Sequence, residues 1–185
     1  YEKLDFLKYE GPTDPTITGS FGNILTYKNL KLNVFVTYSF GNVIRLDPVF
    51  SNAYSDLDAM PKEFKNRWMK AGDENVTNIP TIVSTRMNQQ YAYLNMAYNA
   101  YNYSDVRIAD GGFIRLKEIS LSYDLPAKVI NFFRLNKLQL KLQATNLCLL
   151  YADSKLNGQD PEFFRSGGVS TPVPKQFTFT VRLGL

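Results

Sequence analysis

No histidine occurs in the sequence, and cysteine occurs once, at Cys148. The first absence excludes a Ser-His-Asp or Cys-His triad within the chain, and the two together exclude a His- or Cys-rich metal site. A lone cysteine also excludes an internal disulfide framework. No run approaches the ~20 consecutive apolar residues that a membrane-spanning helix needs. Charge of one sign is also scarce: 21 Lys and Arg against 17 Asp and Glu leave a net charge of +4, with the basic residues scattered. A nucleic-acid surface needs them clustered, so no nucleic-acid partner is expected. The segment from Tyr1 onward is charged and lacks the apolar centre of a secretory leader.

Aromatic residues are plentiful. There are 12 Tyr and 13 Phe in 185 residues, types favoured in strands and at the two edges of a membrane. The final stretch, Lys175 to Leu185, alternates strictly. Phe177, Phe179, Val181, Leu183 and Leu185 are apolar, with Thr178, Thr180, Arg182 and Gly184 between them. That is a strand with one apolar and one wet face.

Four upstream stretches match it. Thr16 to Tyr27 carries Ile17, Phe21, Leu25 and Tyr27 on one parity, with Gly19 and Gly22 as places where the strand weakens or bends. Lys28 and Asn29 form a tight turn. Leu30 to Phe40 alternates cleanly except for Phe35. Phe113 to Leu125 changes parity at Lys117-Glu118, which predicts a β-bulge with one extra residue. Lys137 to Thr145 sets Leu138, Leu140, Leu142 and Ala144 against Lys137, Gln139, Lys141, Gln143 and Thr145, within a strand expected over 137–150.

The connections alternate between short and long. Ala127 to Leu135 reads as a short amphipathic turn. Gly41 to Asp110 does not alternate and reads as a long surface loop, with one short helix over Pro61 to Met69 and a Tyr- and Asn-rich stretch, Leu94 to Tyr103, as strand extension or loop. Tyr151 to Pro174, with Gly158, Gly167, Gly168, Pro172 and Pro174, is a second long loop. Short turns on one side and long loops on the other are the habit of outer-membrane β-barrels. Tyr27 and Tyr123 then fall near the inner rim, and Tyr38, Phe40 and Phe177 near the outer one. The expectation is an all-β, antiparallel transmembrane barrel segment of five strands. A barrel with no leader of its own implies that residues 1–185 are the C-terminal part of something longer. The alternative is a soluble glycan-binding β-sandwich with two insertions, the Tyr-rich loop being its site.

Six elements carry a family resemblance: Thr18 to Gly41, Arg67 to Pro80 (RWMKAGDENVTNIP), Asp110 to Pro126 (DGGFIRLKEISLSYDLP), Leu142 to Leu147 (LQATNL), Gly158 to Glu162 (GQDPE) and the closing PKQFTFTVRLGL. In this order and spacing the chain resembles the C-terminal portion of SusC/RagA-type TonB-linked outer-membrane transporters. The resemblance implies a barrel of about 22 strands whose lumen holds a plug. It also implies drive from the TonB complex through an N-terminal region, a SusD-like lipoprotein lid, outer-membrane lipid around the barrel, and oligosaccharide or peptide cargo. It implies residence in the outer membrane of a Gram-negative cell, and no enzyme activity. Leu185 departs from the aromatic residue that commonly ends such chains.

On this reading the residues expected to touch cargo or lid are Trp68, Tyr93, Tyr101, Tyr103, Phe163 and Phe164. Trp68 has a packing role open to it as well, since a large aromatic usually finds apolar cover. The Tyr91 to Tyr103 stretch either stacks on sugars or folds the loop over the barrel. Asp160 and Glu162 sit two apart on a Gly- and Pro-rich loop, which suits turn structure better than glycoside hydrolysis. Asp14, Asp47, Asp58 and Asp73 lack the spacing of a calcium loop, so no metal and no cofactor are expected. Cys148 reads as a small buried or lipid-facing apolar residue.

Overall fold

The computed structural model describes residues 5–49, 57, 60–132, 135–164 and 172–184. Leu185, Asp58, Gly167 and Gly168, named above, lie outside them. The frame is a five-stranded sheet of β1 (Ile17–Tyr27), β2 (Leu30–Phe40), β5 (Phe113–Asp124), β6 (Lys137–Ala152) and β7 (Gln176–Gly184), in that order and antiparallel throughout. Strand order is chain order, as the alternation predicted. A separate two-stranded ribbon pairs β3 (Val43–Arg45) with β4 (Ile108–Asp110).

Register turns the alternation of single strands into rows across the sheet. Leu25, Leu32, Leu121, Leu142 and Phe179 are successive partners on one face, and Asn23, Val34, Ile119, Ala144 and Phe177 form the next row. On the opposite face run Thr26, Lys31, Ser122, Lys141 and Thr180, then Ile24, Asn33, Ser120, Gln143 and Thr178. Phe177, at the long-loop end of β7, pairs with Ala144, and Tyr38, Phe40 and Tyr151 form an aromatic group with ring centroids 6.0 and 6.2 Å apart.

The bulge falls where the parity broke. Phe35 pairs with Glu118 and Val36 with Leu116, so Lys117 has no cross-strand partner. The extra residue brings Ile114 and Leu116 onto the face of Ile119 and Leu121. A second irregularity in β6 absorbs the shift, around Asn146, whose φ of 54° is left-handed. Asparagine tolerates that region better than a branched residue does. The two strand glycines make room rather than a bend. Gly19 faces Tyr38 and Gly22 faces Phe35, and a β-carbon at either would press into the opposing ring. Phe35, an aromatic on the polar face, thus lies over Gly22.

Burial on this sheet is inverted. Leu25, Leu142 and Phe179 are 60%, 59% and 61% exposed, whereas Ser39, Arg115 and Ser120 on the polar face are buried. Among the described residues the buried apolar side chains lie in the connections and the small ribbon. Ile44, Leu46, Ala109 and Leu156 form one cluster, and Val49, Phe64 and Ile79 another.

The described parts of the 41–110 connection are thus packed, not a bare loop. A 3-10 turn over Lys62–Asn66 with Pro61 at its start stands for the expected helix there. The Tyr-rich stretch is α2 (Leu94–Tyr103), not strand or loop, and follows α1 (Thr85–Gln90). Leu94, Tyr98 and Tyr101 recur at helical spacing and turn one side inward; Tyr98 is buried and its hydroxyl donates to the Thr81 carbonyl. The short connection after β5 holds α3 (Ala127–Phe132). No described helix is long and apolar enough to cross a membrane.

Asn146→Val should destabilise the folded protein by about 1–2 kcal/mol, because a β-branched residue resists the left-handed region, and Asn146→Gly by much less. Urea unfolding midpoints of the two variants check this.

Candidate functional site

The long connections meet the polar face of the sheet at one end, and charged pairs fasten them there. Arg115, in β5, sits on that face because the Lys117 bulge sets its parity. Its Nη2 donates to both carboxylate oxygens of Asp160, at 2.5 and 2.6 Å, and its Nε lies 3.2 Å from Glu162 Oε2. Asp160 also accepts from the Glu162 backbone N–H at 3.1 Å and so caps the 3-10 turn of Pro161–Phe163. The two carboxylates of GQDPE thus converge on one guanidinium rather than standing apart across a substrate, and the motif has more than a local role. Sequence reading found Asp160 and Glu162 but missed Arg115. Its signal was a cation on the polar parity of a strand just before a bulge.

A second buried arginine ties the 41–110 unit together. Arg107 reaches Glu63 at 2.8 Å, donates to the Asp47 carbonyl and lies over the Tyr101 ring at 5.7 Å. Burial pushes the Tyr101 hydroxyl pKa up, with Arg107 opposing the shift. Farther along the polar face, Glu118 accepts from Asn33 at 3.3 Å and lies 3.9 Å from Lys141, while Gln139 donates to Asp124 at 2.9 Å.

The six expected contact residues separate by position. Tyr93 and Tyr103 are exposed, Tyr103 with the Arg45 guanidinium 5.6 Å over its ring. Tyr101 and Phe164 pack against the two buried clusters and support the loops from within. Phe163 is half-buried. Trp68 is half-buried too, and its indole Nε1 donates to Glu74 Oε2 at 3.0 Å, while its backbone N–H donates to the Ile79 carbonyl. The six are not one patch. They are spread over two connections at the same end of the sheet. Cys148 is exposed on the apolar face, opposite Leu116. Among the described residues no group of three or more Asp, Glu, Cys or His side chains is placed to hold a metal.

No family model matches the chain. Curated proteins do. It is 27% identical over 155 residues to TonB-dependent receptor P3 of Formosa agariphila, covering 84% of this chain and 14% of that protein. It is 26% identical over 192 aligned positions to TonB-dependent receptor P26 of the same organism, covering 92% and 17%. Among solved structures, a chain of the RagAB peptide importer in its open-open state superposes with a TM-score of 0.66 at 21% identity, over 96% of this chain and 18% of that one. The RagAB peptide transporter gives 0.65 at 22% identity, over 95% and 18%. In sequence the chain is therefore similar to TonB-dependent receptors. The resemblance to the SusC/RagA type stands beside this similarity, and the fold is like that of a portion of a RagAB chain. The chain spans less than a fifth of the length of each relative.

The Trp68 indole, together with the Glu74 and Gly72 backbone N–H groups, holds the Glu74 pKa below its ordinary value. The stabilisation is present above the unfolded-state value and lost as pH falls through the lowered one. Acid titration of the Trp68 fluorescence, with Trp68→Phe as the blank, should show a transition below the usual glutamate range of about 4.3, and Glu74→Gln should abolish it.

Proposed function

We propose that this chain is the C-terminal barrel portion of a SusC/RagA-type TonB-dependent receptor, and that its five strands are five of about 22 in a closed barrel. The inverted sheet carries this reading. A soluble fold covers its apolar face with a second layer, but here the apolar rows lie open and the polar face holds buried serine and arginine. Acyl chains of the outer membrane cover such a face, and a wet lumen suits the other. The soluble sandwich reading lacks the second sheet it needs. Among the described residues the other sheet is two three-residue strands.

Connection lengths set the orientation. The two-residue turn at Lys28-Asn29 and the α3 connection belong on the periplasmic side, and the 41–110 and 153–175 connections on the outside. In the whole protein a plug fills the lumen, the TonB complex supplies energy through an N-terminal region, and a SusD-like surface lipoprotein closes the outer mouth. The cargo is an oligosaccharide or a peptide. Tyr93 and Tyr103, with the exposed edges of Trp68 and Phe163, are the side chains offered to cargo or lid, and Tyr101 and Phe164 hold them up from beneath. The protein works by binding and passage, not by catalysis.

Leu142→Arg puts a charge on the lipid face and should cost roughly 2–4 kcal/mol near mid-bilayer, where a lumen position costs far less. In the full-length protein it should sharply reduce the form that shifts on a gel when heated. Gln143→Arg, its neighbour on the polar face, should leave that form nearly intact. Equal loss in both variants would count against the barrel.

A further inference from the structure

The segment after β6 folds back at two points, first onto the β3–β4 ribbon and then onto the five-stranded sheet. At the first, Leu156 is buried in the cluster of Ile44, Leu46 and Ala109, and Asp153 accepts from the Asp110 backbone N–H at 2.8 Å while Lys155 Nζ donates to the Ile108 carbonyl at 3.0 Å. At the second, Asp160 meets Arg115, both side chains being 7% exposed. Between the second point and the polar face lies a cavity of about 400 Å³, bordered by Thr18, Thr37, Ser39, Lys117 and Glu162. Loops of this length are commonly mobile, since little backbone is buried. This one is clamped at both ends of its inward fold, and the second clamp is a buried, charge-assisted pair in which one guanidinium nitrogen meets both carboxylate oxygens.

We infer that Arg115 is a positioning residue that fixes the 157–164 segment as a rigid wall of the lumen mouth. Cargo then passes an anchored surface carrying Glu162 beside Lys117, not a swinging flap. The inference rests on the barrel reading, because only there does the polar face line a passage. The guanidinium reaches the wall because the bulge turns it to the polar side, and Asp160 is held to receive it by its own cap to Glu162. The 41–110 unit needs no part of this pair, its own arginine being Arg107.

The test is hydrogen exchange read by mass spectrometry on the full-length receptor in detergent. Arg115→Gln and Asp160→Asn should each speed exchange in the 157–164 peptide by about tenfold or more, as expected for a local opening, and leave strands 113–124 and 137–152 unchanged. Asparagine keeps the cap at position 160, so the loop variant removes only the charge pair. The double variant should exchange within about twofold of either single one, because both remove the same interaction. Unchanged exchange in 157–164, acceleration spread equally over the strands, or additive effects in the double variant would each overturn the inference. The heated-gel shift reports separately on the barrel, so failure of that reading is seen independently of failure of the wall.

Discussion

The ladder from Ile17 to Gly184 gathers most of its apolar side chains on one side, and it does so because Lys117 is left unpaired. Without that extra residue, Ile114 and Leu116 would point with Ser120 and Ser122, and Arg115 would point with Leu121. Side-chain direction in a strand has a period of two, so a slip of one residue exchanges the faces of everything beyond it. The bulge corrects such a slip inside the sheet, and β6 answers it near Asn146. The apolar rows, the buried arginine and the seat of the GQDPE turn all follow from that one adjustment.

Much of this frame was legible in the residues. Strict alternation located the strands to within a residue or two, and the parity break marked the bulge. Alternation is a local signal, and the sheet pairs neighbours in the chain, so local evidence was enough. The glycines were harder. A glycine in a strand reads as a weak point, and only the register reveals that Gly19 and Gly22 stand opposite Tyr38 and Phe35. Phe35, an exception in the alternation, is accommodated by a residue on the neighbouring strand.

The site was less legible than the frame. The helical face of α2, made by Leu94, Tyr98 and Tyr101, was present in the spacing but hidden by a composition of Tyr and Asn that also suits strands and loops. Arg107 and Arg115 were invisible as partners, because the groups they bind lie 44 residues earlier and 45 residues later in the chain. No sequence pattern of fixed spacing joins residues so far apart. The six aromatic candidates lie in the connections, but whether a ring faces solvent or supports its own loop depends on packing that composition does not encode.

The small ribbon of β3 and β4 has a consequence for assembly. It joins the two ends of the 41–110 connection through three residue pairs, directly beside the strands that leave and re-enter the sheet. Closing a loop costs conformational entropy that rises slowly with its length, by about 0.6 kcal/mol for each doubling. With its ends already zipped, β2 and β5 meet almost as if they were the arms of a hairpin. The span between the zipped ends can lengthen, shorten or change its surface while the pairing behind it proceeds at the same pace. A strand pair that has to stay in register can in this way carry a connection free to diversify.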